Sequence, residues 1–211
     1  MSSRIISELS RDMVDLIEPA LALVDFSSIA CGIKAADAMV KRAPIDTIRT
    51  GTVQPGRYLV LIGGAVADVE EALAAGEEVG GASILDQVFL PNVHRGVVEA
   101  IVGGRVPDRN DALGIVETST VAAAIQAADA GLKSAHVRLV EVRLADGLGG
   151  KGIVFYSGEV ADVEAAVASG VSTLSRPELL VQKVVIAQLH TDMWDNVAAA
   201  TSFSQRVMEA G

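Results

Sequence analysis

The sequence predicts a protein of the α/β (α+β) class built from two tandem ferredoxin-like domains, because two blocks of sequence repeat and each copy has the same order of elements. Residues 20–48, ALALVDFSSIACGIKAADAMVKRAPIDTI, return ninety-two positions later as ALGIVETSTVAAAIQAADAGLKSAHVRLV. A second block, GGAVADVEEALAAG from Gly63, is echoed by SGEVADVEAAVASG from Ser157, ninety-four positions on. This repeat is longer than the ~20–50 residues of a solenoid unit and long enough for a small domain. Each copy has the order β-α-β-β-α-β, the split βαβ arrangement.

The composition favours an aliphatic protein whose surface is covered by contacts between subunits. Hydrophobic residues make up 50% of the 211 residues, and aromatic residues only 3%. Domains of this size bury only about 60–65% of their unfolded surface, so the remaining apolar surface needs a partner. No run approaches the ~18–20 apolar residues of a membrane-spanning helix. The net charge of −10 opposes binding to nucleic acid or to an anionic membrane.

The chain ends and the segment between the repeats are expected to stand apart from the two domains. Ile6, Leu9 and Met13 recur at steps of three and four and predict a helix over residues 2–18, which Pro19 ends. This helix either caps an edge of its own subunit or docks a partner protein, and its acids argue against a signal peptide. The predicted boundaries are 1–19 for an N-terminal helical extension, 20–102 for the first domain, 103–111 for a linker, 112–200 for the second domain and 201–211 for a flexible tail.

In the first repeat, changes of periodicity separate seven elements. Ser27 and Ser28 precede a helical pattern rich in small residues and are the expected cap. The segment Gln54-Pro55-Gly56 has the residue order of a type II turn between two strands. The predicted strands lie at 20–26, 47–53, 57–62 and 84–90, and the predicted helices at 29–42, 66–79 and 93–102.

The second repeat follows the same plan with a longer turn between its second and third strands. That turn is Asp146-Gly147-Leu148-Gly149-Gly150, and the two extra residues of the larger offset are expected there. The last strand is predicted at 179–186 and the last helix at 191–200. Both repeats carry an acid four residues before a base, which supports a helix locally: Asp37 with Lys41, and Asp129 with Lys133.

The spacing of reactive residues does not predict an enzyme or a metal site. His94, His136 and His190 are isolated, and the matching places of His94 and His190 favour a structural or edge role. No nucleophile elbow, P-loop or G-x-G-x-x-G sequence stands between a strand and a helix. The glycine-rich turn joins two strands, so it lacks the helix N-terminus that phosphate sites use. The single cysteine, Cys31, excludes an internal disulfide and fits a reducing cytoplasm.

Four motifs carry a resemblance to a known family. They are Ser27-Ser28-Ile29-Ala30 with Ala36-Asp37-Ala38-Met39-Val40-Lys41, Gln54-Pro55-Gly56-Arg57 before a strand, Gly147-Leu148-Gly149-Gly150-Lys151 at the equivalent place, and His190 with Met193-Trp194. With the tandem repeat, the chain resembles the bacterial microcompartment (BMC) shell proteins over about residues 20–200. It is most similar to their unpermuted tandem-domain trimers (BMC-T), of the kind found in propanediol-utilisation compartments.

The resemblance implies a structural role in a shell within the bacterial cytoplasm. Three chains would form a pseudohexameric homotrimer, a flat tile with a central pore for small polar metabolites. Tiles would join other shell proteins (hexamers and pentamers) edge to edge, and a contact with encapsulated enzymes is left open. The pore residues implied are Thr52, Val53 and Gln54 from the first domain and Asp146, Gly147 and Leu148 from the second. The tile-edge residues implied are Lys41, Lys133, His94 and His190.

One position departs from the family pattern. Some tandem shell proteins have a cysteine just before the Pro-Gly of the first turn, and three copies hold an iron–sulfur cluster in the pore. Here that position is Gln54, whose amide is not a thiolate, so we expect no cluster and no other cofactor. The alternative hypothesis for the whole chain is a soluble trimeric ligand-binding or regulatory protein with ferredoxin-like domains, which would stay a discrete trimer.

Overall fold

The computed structural model describes residues 19–103, 111–145 and 147–198. The predicted helix at 2–18, most of the predicted linker, Asp146 and the predicted tail lie outside these residues. None of the helices in the described part combines the length and the apolar character that a bilayer crossing demands.

Both repeats fold as the sequence predicts, with four strands and three α-helices each. The first contains β1 (Ala20–Phe26), α1 (Ile29–Arg42), β2 (Thr47–Val53), β3 (Arg57–Gly64), α2 (Val66–Gly80), β4 (Ile84–Leu90) and α3 (Arg95–Gly103). The second contains β5 (Ala112–Thr118), α4 (Val121–Ser134), β6 (Arg138–Leu144), β7 (Gly152–Gly158), α5 (Val160–Ser172), β8 (Leu180–Ala187) and α6 (Thr191–Ala198). Helix α3 begins two residues later than predicted.

Each repeat forms one antiparallel sheet with the strand order of a ferredoxin-like domain. The orders are β2-β3-β1-β4 and β6-β7-β5-β8. The central strand β1 pairs with β3 on one side and with β4 on the other, and all seven of its residues are buried. A strand covered on both faces has no solvated side, which explains its nearly continuous apolar sequence.

Small residues let the helices approach the sheets closely. The Ser28 hydroxyl accepts a hydrogen bond from the Cys31 amide at 3.3 Å, as the predicted cap requires. A Cβ atom at Gly131 of α4 would come within 2.5 Å of the Tyr156 hydroxyl. Tyr156 is fully buried on β7, and its hydroxyl donates to the carbonyl of Ala127 at 2.6 Å. Glycine in α4 therefore makes room for the largest side chain in this core.

The two domains share a continuous apolar core. Helix α4 of the second domain packs on β4 and β1 of the first, and α3 of the first packs on β6 of the second. Leu21 and Val88 from the first sheet join Val121 and Ile125 from α4 in one cluster of buried side chains. One face of the first sheet is thus covered by its own helices α1 and α2, and the other by the second domain.

We expect Tyr156→Phe to lower the free energy of unfolding by about 1 kcal/mol, because it removes one buried hydrogen bond without changing the volume of the core. Urea denaturation at fixed protomer concentration measures the change. Tyr58→Phe is the matched control, since the Tyr58 hydroxyl bonds the Thr50 hydroxyl at an exposed position. Equal effects of the two substitutions would contradict the prediction.

Candidate functional site

The first predicted pore turn connects β2 to β3. Thr52 and Gln54 are exposed and Val53 is half-buried. The Gly56 amide donates to the Val53 carbonyl at 2.9 Å, and the Gln54-Pro55 peptide is cis. This places a cis proline third in the four-residue turn, the arrangement of a type VI turn. The predicted type II turn is therefore wrong, because that turn would have put Pro55 in the second position.

The second predicted pore turn is longer and rich in glycine. Five residues separate Ala145 from Lys151, whose carbonyl accepts the Ala145 amide hydrogen bond at 3.0 Å. Three residues separate the equivalent pair, Val53 and Arg57, so the two extra residues lie in this turn as predicted. Gly147 is exposed and Leu148 is half-buried. Asp146, the remaining predicted pore residue, lies outside the described part of the chain.

An arginine brings the two turns side by side. Arg57, directly after the first turn, donates from Nη1 to the Gly150 carbonyl of the second turn at 3.3 Å. The same nitrogen donates to Asp25 Oδ2 at 3.1 Å, and Asp25 is completely buried. The predicted pore turns of the two domains are thus neighbours in the fold.

Burial raises the pKa of Asp25 from 3.8 to about 6, although the Arg57 guanidinium opposes the shift and Asp86 adds to it. Desolvation disfavours the charged carboxylate, and one arginine offsets only part of that cost. Asp86 lies opposite Asp25 in the sheet register and accepts a hydrogen bond from Thr120 Oγ1 at the start of α4. We did not predict this group from the sequence. The signal was present, because Asp25 and Arg57 are echoed by Glu117 and Lys151.

The two copies of the helical acid–base pair have different surroundings. Lys41 Nζ lies 2.6 Å from Asp37 Oδ2 with both side chains mostly exposed. Lys133 makes the same 2.6 Å contact with Asp129, but only 7% of the Asp129 side chain is exposed. Asp129 Oδ1 accepts the His94 amide hydrogen bond at 2.8 Å, and Lys133 Nζ donates to the Asn92 carbonyl at 2.5 Å. The second pair therefore also holds the loop before α3.

The predicted edge histidines begin two equivalent helices. His94 Nδ1 accepts from the Gly96 amide at 3.1 Å, and His190 Nδ1 accepts from the Asp192 amide at 3.3 Å. Both side chains are exposed. In this role a histidine ring nitrogen satisfies one free amide at a helix start.

Helix α1 exposes the surface that its copy α4 buries. Ile33 is 52% exposed, whereas its counterpart Ile125 is completely buried against the first domain. Val40 is 44% exposed as well. A shallow groove of about 280 Å³ runs along this face and is lined by Ile33, Ala36, Asp37, Val40, Ile48, Thr50 and Tyr58.

The described residues contain no group of three or more His, Cys, Asp or Glu side chains able to hold a metal ion. Cys31 belongs to α1 rather than to a turn, and its side chain is half-buried. Iron–sulfur clusters are held by cysteine thiolates. The first turn has the exposed Gln54 at this position, and its amide does not fit such a cluster.

Comparison with known proteins gives matches over most of the chain. The BMC domain family matches residues 20–93 and 112–189. The chain is 40% identical over 175 residues to the bacterial microcompartment shell protein PduT of Citrobacter freundii, covering 83% of this chain and 95% of that one. It is 28% identical over 201 residues to the carboxysome assembly protein CcmO of Synechococcus elongatus, covering 88% and 71%.

Solved structures show the same fold. A crystal structure of a microcompartment protein from Desulfitobacterium hafniense superposes with a TM-score of 0.72 and 45% identity, covering 82% of this chain and 97% of that one. A fused permuted hexameric shell protein from the RMM microcompartment, at 17% identity and a TM-score of 0.55, covers 80% and 91% and shares the fold alone.

The raised pKa of Asp25 predicts a pH dependence of stability. Because the folded chain binds this proton more tightly than the unfolded chain, the group's contribution is full below about pH 4 and is lost as the pH rises through about 6. We expect Asp25→Asn to flatten this part of the stability curve, measured by urea denaturation across that range at fixed protomer concentration. Glu71→Gln, which removes an exposed carboxylate of α2, controls for net charge. Parallel curves for wild type and Asp25→Asn would refute the assignment.

Proposed function

The chain belongs to the BMC domain family and is a structural shell protein of a bacterial microcompartment; we propose that three copies join head to tail into a flat, pseudohexagonal tile with a central pore. The shells of this family lie in the bacterial cytoplasm, and the tile's neighbours would be other shell proteins. A catalytic role is not part of this proposal. The soluble regulatory trimer is not favoured, because the relatives that cover most of the chain are microcompartment proteins.

The proposed trimer rests on a contact between domains that one chain makes at α4 and leaves unmade at α1. Within the chain, α4 is buried on the first domain, and Ile125 has no exposed surface. The same face of α1 is open in the chain, with Ile33 at 52% exposure. A second chain can cover α1 by repeating the contact between the domains. Such a head-to-tail contact closes into a ring when its rotation divides a full turn, and six domains from three chains satisfy this.

The polar groups beside α1 could make the same hydrogen bonds with a second chain that their counterparts beside α4 make within one chain. The hydrogen bonds at the two helix starts make His190 the counterpart of His94. Counted back from these histidines, Gln188 is the counterpart of Asn92. In the tile, Asp37 would accept the amide hydrogen bond of His190 of the partner subunit. Lys41 would donate to the carbonyl of Gln188 of the partner subunit. These bonds would repeat the ones that Asp129 and Lys133 make within the chain.

An apolar side chain on α6 is exposed, whereas its counterpart on α3 is buried. Met193 is 50% exposed, although its counterpart Val97 on α3 is completely buried in the shared core. The groove along α1, lined by Ile33 and Val40, offers apolar surface of suitable size. Fully burying one large aliphatic side chain stabilises a contact by about 1.5–3 kcal/mol. Three such contacts would close the ring.

The two turns joined through Arg57 would line the pore. Thr52, Val53 and Gln54 would alternate with Asp146, Gly147 and Leu148 around it. Backbone dipoles and the Gln54 amide let a small polar metabolite exchange water for protein groups. We propose a water-filled pore without an iron–sulfur cluster, because Gln54 supplies no thiolate. At the outer rim, the exposed Lys41, His94 and His190 and the partly exposed Lys133 would contact neighbouring tiles.

We expect Ile33→Asp to shift the protein from three chains to one, because the open face of α1 would have to bury a carboxylate. Native mass spectrometry at micromolar concentration measures the distribution. Val181→Asp is the control: Val181 is 43% exposed, and its counterpart Leu85 stays 37% exposed beside the completed interface. A trimer of unchanged stability in Ile33→Asp would overturn the proposed assembly.

We expect Gln54→Trp to reduce the flux of small polar solutes through reconstituted shells severalfold while leaving the trimer intact. Three indole side chains would fill the narrowest part of the pore, and the exposed turn has room for them on each chain. Ala67→Trp adds the same bulk at the exposed start of α2, at the opposite end of β3 from the first turn, and should leave the flux unchanged. If both variants conduct like the wild type, Gln54 does not line the route.

A further inference from the structure

An ion pair behind the two turns is not accounted for by the shell architecture. Arg57 Nη1 bridges Asp25 Oδ2 at 3.1 Å and the Gly150 carbonyl at 3.3 Å. Asp25 is completely buried on β1, and 23% of the Arg57 side chain is exposed. One guanidinium therefore ties a turn of the second domain to the central strand of the first.

The turn that Arg57 reaches is rich in glycine. Gly147, Gly149 and Gly150 all have positive φ, and glycine has more conformational freedom than any other residue. Within the turn, the Leu148 amide donates to the Ala145 carbonyl at 2.9 Å and the Lys151 amide to the Leu148 carbonyl at 3.3 Å. A Cβ atom at Gly150 would lie 2.8 Å from Arg57 Nη1. Glycine at this position is what lets the guanidinium approach the backbone.

The second repeat has an ion pair at the equivalent positions. Glu117 is the counterpart of Asp25, and Lys151 is the counterpart of Arg57. Lys151 Nζ donates to Glu117 Oε1 at 2.7 Å. These side chains are 47% and 30% exposed, respectively. By the same repeat, Gly56 corresponds to Gly150, and both have positive φ.

We infer that each pair positions a pore turn of the neighbouring domain. Arg57, held by Asp25, fixes the second turn of its own chain through the Gly150 carbonyl. Lys151, held by Glu117, fixes the first turn of the next chain through the carbonyl of Gly56 of the partner subunit. This second half rests on the proposed trimer, whereas the first half lies within one chain. Around the tile, six ion pairs would hold six turns.

The pair in the first domain responds to pH. The charged groups that face Asp25 are Arg57 from β3 and Asp86 from β4, and Arg176 approaches Asp86 at 4.0 Å. Asp25 Oδ1 is buried without a hydrogen-bond partner among the described residues. Burial raises the pKa of Asp25 to about 6, so mild acid removes the charge that anchors Arg57. The second turn then loosens while the fold around it persists.

Amide hydrogen exchange of the trimer tests the first half. We expect Arg57→Met to lower the protection factors of the Leu148 and Lys151 amides, which hydrogen-bond within the turn, about tenfold, the effect of losing a hydrogen bond to a charged group. Arg57→Lys, which keeps a cation beside Asp25, should restore most of the protection. Arg42→Met, which breaks an exposed pair with Glu78, is the control for removing a guanidinium. Unchanged protection in Arg57→Met would overturn the inference.

The pH profile separates positioning from mere structural support. In the wild type, protection factors of this turn, corrected for intrinsic exchange, should fall as the pH drops through about 6. Asp25→Asn should remove that step. If Arg57→Met does not fold, this comparison decides: a step that persists in Asp25→Asn would refute the role of the pair.

The second half is tested at residues 53–57 with Lys151→Met. Protection there should fall in the trimer and stay unchanged in the monomeric Ile33→Asp background. A trimer in which Lys151→Met leaves these amides unaffected would refute this half of the inference alone. Absence of a trimer in the wild type would instead refute the proposed assembly, and the result for Arg57 would stand.

Discussion

The burial of one face of α4 against the first sheet is the constraint on which the rest of this structure depends. An aliphatic chain with few aromatic residues gains stability mainly by removing surface from water, and here the largest continuous cluster of buried side chains spans both domains. Each domain therefore uses its neighbour as part of its core. Because the two domains repeat one sequence, a surface like the one that covers α4 should also be able to cover α1.

The same contact between the domains also determines what the neighbouring polar side chains bind. Two polar groups beside the buried face bind the neighbouring domain: Asp129 holds the start of α3, and Arg57 holds the second turn. A buried carboxylate stays only where a cation or several hydrogen bonds compensate it. Among the described residues, buried Asp25 has a single cation and one unpaired oxygen, which is why its proton affinity differs from that of an exposed acid. The interface thus produces both the rigid parts of the site and the part that responds to protons.

Local patterns predicted the elements well, because each repeat presents consistent signals. The cap at Ser28, the buried strand β1 and the strand order all follow from periodicity and the split βαβ plan. The isomer of the Gln54-Pro55 peptide could not be predicted, since the cis and trans forms differ by only about 0.5–1 kcal/mol and the surroundings decide.

Contacts between residues far apart in the sequence could not be predicted from local patterns either. The pairs Asp37–Lys41 and Asp129–Lys133 look identical in the sequence, and helix support explains both. Only the packing of the domains shows that the second pair also binds the loop before α3. Asp25 and Arg57 are thirty-two residues apart, and the fold brings them together from neighbouring strands. Comparing the repeats with each other, rather than reading each along its own length, would have identified the pair.

The unequal lengths of the two turns have a consequence for how such an opening can evolve. In a ring of single-domain subunits, every substitution is copied six times, so size and polarity change all at once around the circle. A fused pair of domains divides that circle into two independent sets of three. Here one set is short and contains a cis proline, and the other is longer and rich in glycine. One set can keep the plate intact while the other acquires a new selectivity.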